Sequence, residues 1–174
     1  MQVSLQRIHA HLATAGLQPS PSLIAVDCTT QTLVLYCNQM PAAHFAISTA
    51  AAGTGNRQDS MRTPCGLHRI REKIGAGAPP ERIFRDRVDT GEDCPPDDRG
   101  ENRILARILR LEGLEEGVNK GEGIDTLERC IYIHATNRED RIGTPFSHGC
   151  ICMKKHDIIA LFDMVKEGTL VHIA

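Results

Sequence analysis

Apolar residues recur at helical spacing near both ends of the chain. They fall at i, i+3 and i+7 in residues 5–12, and at i, i+3, i+4 and i+7 in residues 158–165. Asp157 lies just before the second pattern, where a carboxylate interacts favourably with a helix dipole, and Gly168 follows it. The spacing therefore predicts two short helices, the first ending near Gly16 and the second before Gly168.

Between these helices the apolar positions favour short strands. Strands are predicted at residues 23–27, 31–36, 44–49, 67–70, 130–134 and 170–173. Residues 104–111 are apolar without a clear period, which suits either a helix or a strand. Residues 71–103 and 113–123 are predicted to be loops, because they are rich in glycine, proline or charged residues. Many short strands and few helices indicate a mainly β fold.

Length and composition fit one ordinary soluble domain. The chain has 174 residues, of which 41% are hydrophobic and 24% are charged. No run approaches the roughly 18 consecutive apolar residues of a membrane-spanning helix. A net charge of -2 argues against nucleic-acid binding, and the absence of tryptophan leaves few surfaces for stacking bases. Neither nucleic acid nor a membrane is therefore expected as a partner.

The seven cysteines bear on the cellular compartment. They are odd in number and follow no repeated spacing, unlike the paired cysteines of a small secreted disulfide framework. The first residues lack the basic and apolar segments of a secretory signal. If the chain is complete, we expect it to stay in the reducing cytoplasm. If a leader has been removed, the periplasm is the alternative.

A motif with nucleophilic chemistry spans residues 147–153, which read Ser-His-Gly-Cys-Ile-Cys-Met. A free thiol titrates at about 8.5, so a nucleophilic cysteine needs a base or a positive neighbour at neutral pH. His134, at the end of a predicted strand, can supply that base to Cys150. Gly149 allows backbone amides to approach a developing oxyanion. The pattern predicts a catalytic pair of Cys150 and His134.

Several motifs together resemble the catalytic domain of the L,D-transpeptidase (YkuD-type) family. They occur in the family's order and are Thr63-Pro64-x-Gly66, His134-Ala135-Thr136, Ile142-Gly143 and the motif at 147–153. The resemblance extends over residues 22–174 and leaves residues 1–21 as an N-terminal helical extension. It implies a β-sandwich-like domain with a few short helices that processes peptidoglycan.

The resemblance also implies an activity. In the family, a cysteine attacks the bond that joins the L-centre of a diamino acid to the terminal D-Ala of a peptidoglycan tetrapeptide. Cys150 would be the nucleophile, and His134 the general base that later protonates the leaving amine. Water or an amine then resolves the thioester, without a cofactor. Carbapenem-type inhibitors are expected to acylate Cys150.

The remaining motif residues receive supporting roles from the same resemblance. The residues that shape the catalytic loop and its oxyanion site are Ser147, His148 and Gly149. The residues assigned to the substrate-binding part of the site are Ala135, Thr136 and Met153. The backbone at Ala135 is also expected to orient the base.

Two positions depart from the family pattern. Cys152 stands where the family usually has arginine, and Ala135 stands where it usually has glycine. Loss of the arginine removes a fixed cation, so another residue must bind the substrate carboxylate or support the loop. The candidates are Lys154, Lys155 and Arg141. Cys152 also suggests a redox hypothesis, in which it captures the oxidised catalytic thiol in a small, strained disulfide ring.

Two alternatives to a cysteine enzyme remain open at this point. A zinc site would draw on ligand types gathered in a short segment, namely His134, His148, Cys150, Cys152 and His156. Structural zinc sites separate paired cysteines by about two to four residues, whereas only one lies between these two, which argues against zinc. The second alternative is a non-catalytic muropeptide-binding domain, suggested only by the missing arginine.

The acceptor of the acyl group separates two activities. Water gives an L,D-carboxypeptidase that trims tetrapeptides to tripeptides, and the amine of a second stem gives an L,D-transpeptidase that cross-links the cell wall. Polymeric peptidoglycan lies outside the cytoplasmic membrane. The expected cytoplasmic location therefore favours hydrolysis of soluble muropeptides during wall recycling.

Overall fold

The computed structural model describes residues 4–174, and strands dominate it. The helices are α1 (Leu5–Thr14) and α2 (Lys155–Met164). The strands, in chain order, are β1 (Ser22–Asp27), β2 (Thr32–Cys37), β3 (Met40–Ala46), β4 (Gly66–Ile74), β5 (Arg82–Arg85), β6 (Val88–Asp93), β7 (Ile104–Gly113), β8 (Tyr132–Ala135), β9 (Ile151–Met153) and β10 (Leu170–Ile173). The predicted mainly β fold is confirmed. Neither described helix has the length and apolarity needed to cross a membrane.

The described strands belong to one hydrogen-bonded sheet. Its main path runs β3-β2-β1-β10-β4-β7-β5-β6, while β8 branches from β7 and pairs with β9. β1 and β2, which correspond to two predicted strands, form an antiparallel hairpin, and β1 lies parallel to β10. β8 and β9 are also parallel to each other. The branch is important because its two strands carry the two parts of the predicted catalytic motif.

The main apolar core joins strands that are distant in the sheet. Ile24 on β1, Leu109 on β7, Ile133 on β8 and Ile151 on β9 are fully buried in one cluster. Because β1 and β9 are not neighbours in the sheet, the sheet must curve to bring these side chains together. Leu161 of α2 belongs to the same cluster, so the predicted apolar face of this helix covers the core.

Helix α1 contacts a second, smaller apolar cluster. The Ser4 side chain accepts a hydrogen bond from the Arg7 backbone N–H and caps the helix. Ile8 and Leu12, both buried, pack in a cluster with Leu23 of β1. The apolar face predicted for residues 5–12 therefore holds the helix on the sheet. The division of the chain at residue 21 stays a prediction.

The prediction of a continuous loop at residues 71–103 is wrong, because this segment contains a hairpin. β5 and β6 pair in antiparallel fashion, and β4 extends beyond its predicted end. Asp86 and Arg87 connect the two strands with φ of 48° and 70°, both positive as a type I′ turn requires. The apolar pattern missed this hairpin because β6 is largely exposed and charged. Arg82 forms ion pairs with two carboxylates of β6 across it.

Two other strands differ from the predictions, and a third shows whether residues 104–111 form a helix or a strand. β3 occupies Met40–Ala46 rather than 44–49, and as an edge strand it tolerates Pro41. The ambiguous apolar stretch at 104–111 is strand β7. β9 was not predicted, since three residues are too few to reveal an alternating pattern.

Three histidines lie in the protein interior and should make stability depend on pH. His68, His134 and His172 are 0%, 2% and 8% exposed. Burial lowers the pKa of each imidazole from its ordinary value of 6.5 to about 4. Between these values the unfolded chain binds more protons than the folded chain, so the free energy of unfolding decreases as the pH falls from 6.5 toward 4. We expect a loss on the order of 1 kcal/mol per pH unit for each histidine.

Urea unfolding at pH 7 and at pH 5 measures this loss. His68→Gln removes one of the three titrating groups, so its stability should change less between the two pH values than that of the wild type. His44→Gln, at an exposed position, is the control and should change as much as the wild type. Equal stability of the wild type at both pH values would contradict the prediction.

Candidate active site

Strands β8 and β9 place the predicted base beside the predicted nucleophile. The two strands are parallel, with His134 opposite Cys152 in the register. Cys150 immediately precedes β9, two residues before Cys152. Because side chains alternate along an extended chain, both cysteines point to the face that carries His134. The strand pair thus brings one imidazole and two thiols together.

The His134 imidazole is buried and held in one tautomer by a backbone carbonyl. Its Nδ1 lies 2.7 Å from the Ala135 carbonyl oxygen, which can only accept, so Nδ1 carries the hydrogen. Burial lowers the pKa of His134 to about 4, although this hydrogen bond opposes the shift. At neutral pH the ring is therefore neutral, and Nε2 is the nitrogen whose lone pair can accept a proton. That atom lies 3.9 Å from Cys152 Sγ.

The Cys150 thiol is half-buried and contacts the backbone at the start of β8 and just before it. Tyr132 N–H donates to its Sγ at 3.4 Å, and the thiol donates to the Cys130 carbonyl oxygen at 3.6 Å. Burial raises the pKa of Cys150 to about 11, against the opposing effects of the Tyr132 N–H and the Arg129 charge. The thiol is therefore protonated at neutral pH, and it must give its proton to a base before it can attack a carbonyl carbon.

The loop before Cys150 is held by its own polar side chains. Ser147 Oγ donates to the Cys150 carbonyl at 2.6 Å and accepts from Gly149 N–H at 3.2 Å. Thr63 Oγ1 donates to the Gly149 carbonyl at 2.9 Å. Gly149 has φ of 139°, and a Cβ there would lie 3.0 Å from Ile131 Cδ1, so the position favours glycine. These contacts support the loop-shaping role, while the oxyanion role stays a prediction.

One surface pocket contains the predicted catalytic residues. It has a volume of about 500 Å³, and its lining includes His134, Cys150, Ser147 and His148. Within residues 4–174, no hydrogen bond joins Cys150 to His134. The two groups thus share a cavity, with the thiol turned toward the backbone rather than toward the imidazole. Catalytic hydrogen bonds are often long in a ligand-free site and tighten when substrate binds.

Comparison with known proteins assigns this domain to a family. The family model YkuD, the L,D-transpeptidase catalytic domain, matches residues 21–173. The chain belongs to the L,D-transpeptidase family. This confirms the resemblance inferred from the motifs at residues 63–66, 134–136 and 147–153. A search of curated proteins found no match.

Solved L,D-transpeptidases share the fold at low sequence identity. One from Mycobacterium smegmatis aligns with a TM-score of 0.56 and 16% identity, over 91% of this chain and 60% of that chain. L,D-transpeptidase 3 from Mycobacterium tuberculosis, in complex with a faropenem-derived adduct, gives 0.57 and 15%, over 88% and 60%. A cysteine-to-serine mutant of the Enterococcus faecium enzyme gives 0.56 and 18%, over 89% and 50%. This chain therefore spans between half and three fifths of the length of these proteins.

Three residues assigned to substrate contact do not line the pocket of this L,D-transpeptidase domain. Ala135, Thr136 and Met153 are all fully buried, and none belongs to the pocket lining. Thr136 Oγ1 donates to Asn102 Oδ1 at 2.6 Å. These three buried residues lie on or next to β8 and β9 and help to hold the two strands in place. Their direct contact with substrate stays a prediction.

Cys152 is fully buried in the L,D-transpeptidase domain and is held by Asn102, whose Nδ2 donates to Sγ at 3.4 Å. Burial raises the pKa of the Cys152 thiol to about 12. Asn102 also lines the pocket, and no sequence pattern pointed to it because it lies in the segment predicted as a loop. In residues 4–174, no group of three or more His, Cys, Asp or Glu side chains is arranged to hold a metal ion.

The three candidates for replacing the family's arginine do not line the pocket. Lys155 Nζ lies 3.5 Å from a glutamate oxygen, and the Arg141 guanidinium lies 5.0 Å from the Phe146 ring centre. The lining does include one arginine, Arg129. No pattern in the sequence singled it out, since an isolated arginine before a short strand resembles any surface charge.

Proposed function

We propose that this domain is a cysteine acyltransferase or peptidase that acts on peptidoglycan tetrapeptides through a Cys150 thioester. The observation that carries the proposal is the shared pocket, which is lined by a neutral imidazole on β8 and by a half-buried thiol on the residue just before β9. The family assignment supports it, because the match over residues 21–173 includes both His134 and Cys150. The bond attacked joins the L-centre of the diamino acid to the terminal D-Ala.

The proposed reaction begins with a proton transfer. The Cys150 side chain rotates away from the Cys130 carbonyl, and His134 Nε2 accepts the thiol proton. The thiolate attacks the carbonyl carbon of the diamino acid, and a tetrahedral oxyanion forms. The C–N bond then breaks, and the imidazolium gives its proton to the amine of the departing D-Ala. This leaves a thioester on Cys150 and a neutral His134, ready to activate the acceptor.

We further propose that water is the acceptor, which makes the domain an L,D-carboxypeptidase. The seven cysteines carry free thiols, and Cys130 among them is exposed, a composition typical of a reducing compartment. A cytoplasmic enzyme meets soluble muropeptides rather than the polymeric wall. The alternative acceptor is the amine of a second stem, and the names of the matching solved structures favour this transpeptidase activity.

Incubation of the purified protein with a disaccharide tetrapeptide distinguishes these activities. Release of D-Ala with tripeptide as the only other product supports the carboxypeptidase proposal. Cross-linked dimers would support the transpeptidase instead. If neither product forms while the peptide still binds, the domain is the non-catalytic muropeptide-binding alternative. Cys150→Ala is the matched control for all three outcomes.

Inhibition by carbapenems follows from the same proposal. Among the matching solved structures is an L,D-transpeptidase in complex with imipenem, at a TM-score of 0.54 and 17% identity. A strained β-lactam carbonyl in the pocket would meet the Cys150 thiolate as the peptide carbonyl does. We propose that carbapenems acylate Cys150 of this protein.

A further inference from the structure

Arg129 is an arginine of the catalytic pocket that is held in place by backbone carbonyls. Its Nη1 donates to the Gly55 carbonyl at 3.1 Å, and its Nη2 donates to the Arg62 carbonyl at 2.6 Å. A guanidinium has five N–H groups, so these two bonds fix its orientation and leave further donors for a ligand. The Arg129 side chain is half-buried and lines the same pocket as Cys150.

The charge of Arg129 acts on the catalytic sulfur. Burial lowers the pKa of this guanidinium, while the negative charges of Asp59 and of Cys150 in its thiolate form oppose that effect. In residues 4–174, none of the ion pairs within 4.0 Å includes Arg129. The pocket's other charged side chain apart from the histidines, Glu101, is acidic. Arg129 is therefore the positive group to which an anionic part of a ligand beside Cys150 is attracted.

The proposed substrate places an anion close to the attacked carbonyl. The terminal D-Ala contributes a carboxylate one residue beyond the scissile bond, and one residue spans roughly 3.8 Å of chain. A group that binds this carboxylate must therefore line the cavity that holds the nucleophile. A planar, oriented guanidinium suits a carboxylate because two parallel N–H groups can donate to its two oxygens.

We propose that Arg129 binds the terminal carboxylate of the peptide substrate beside Cys150. The proposal rests on the proposed function and is independent of the acceptor, since the donor peptide ends in a carboxylate in either activity. A purely structural role, in which Arg129 only ties residues 55 and 62 to the start of β8, is the competing explanation. A structural role would affect every substrate equally, whereas carboxylate binding would not.

A pair of substrates and a pair of variants separates the two explanations. The tetrapeptide with a free terminal carboxylate and the same peptide with a terminal amide are compared with wild type, Arg129→Gln and Arg129→Lys. Arg129→Gln should lower kcat/KM for the acid roughly 10- to 100-fold and that for the amide less than about threefold. Arg129→Lys should fall between wild type and Arg129→Gln. Arg57→Gln, at an exposed position outside the pocket lining, should leave both values unchanged.

Equal losses for the acid and the amide in Arg129→Gln would overturn the carboxylate-binding role. Binding provides a second readout that needs no turnover. Calorimetry with Cys150→Ala should show tighter binding of the acid than of the amide, and Arg129→Gln in that background should abolish the difference. If the wild type cleaves neither peptide, the proposed function fails, and this binding difference then decides the role of Arg129 separately. Absence of the difference overturns it.

Discussion

Cys150→Ala is expected to lower kcat/KM for release of D-Ala from a tetrapeptide by at least about 1,000-fold. The thiol is the only group proposed to form a bond with the substrate, and removing an essential nucleophile leaves only binding and orientation to promote reaction with water. The measurement is chromatographic quantification of D-Ala and tripeptide at a fixed enzyme concentration. Because alanine is small and Cys150 is half-buried, the fold should persist, which circular dichroism can verify.

Cys152→Ala is the matched control for this experiment. Cys152 lies two residues along the chain, is fully buried and has the sulfur that contacts His134 Nε2 at 3.9 Å. If Cys150 is the nucleophile, Cys152→Ala should keep activity within about tenfold of the wild type. If Cys152→Ala loses activity while Cys150→Ala retains it, the nucleophile is Cys152 and not Cys150.

His134→Gln is expected to lower kcat about 100- to 10,000-fold, the usual contribution of a positioned general base. With a thiol pKa of about 11, only a small fraction of Cys150 is thiolate at neutral pH unless a base removes the proton. Glutamine retains hydrogen-bonding groups but cannot accept that proton. Steady-state kinetics on the folded fraction of the variant checks the prediction.

His68→Gln controls for the loss of a buried, neutral imidazole. Like His134, His68 is buried and has a pKa lowered to about 4 by burial, but it bonds to Gly66 and Thr126 instead of lining the pocket. Both variants should lose stability, and only His134→Gln should lose kcat per folded molecule. An unchanged kcat in His134→Gln would mean that the thiol proton leaves by another route.

The parts of the fold that sequence predicted are those in which one face is strongly apolar. The helical spacing of residues 5–12 and 158–165 and the aliphatic runs of β1, β2 and β10 each correspond to a described element. In these segments, burial of one face or of both determines the local structure. The hairpin of β5 and β6 was missed because its ion pairs and its turn at Asp86 and Arg87 leave no apolar pattern in the sequence.

Some residues of the candidate site could likewise be predicted from the sequence, whereas other contacts in the site could not. Cys150 and His134 could be predicted because their chemistry is carried by residue types in a recognisable local order. The contacts of Asn102 with Cys152 and of Arg129 with Gly55 could not, because they join segments separated by 50 and 74 residues. The orientation of the Cys150 thiol toward the Cys130 carbonyl depends on the register of β8 and β9, which a three-residue strand does not reveal.

The redox hypothesis for Cys152 stays a hypothesis. Its sulfur is fully buried and contacts Asn102 and the His134 imidazole, and a disulfide to Cys150 would close a small ring across a single intervening residue. A Cys152→Ser variant with the same sensitivity of activity to peroxide as the wild type would count against it.

Site-resolved mass spectrometry after brief exposure to imipenem tests most directly whether Cys150 is an activated nucleophile. The protein is digested after the reaction, and the extent of acylation is measured at each of its seven cysteines. We predict a single adduct at Cys150, formed much faster than any at the other six and strongly slowed in His134→Gln. Slow and similar modification of all seven thiols, or a preferred adduct at Cys152, would contradict the account.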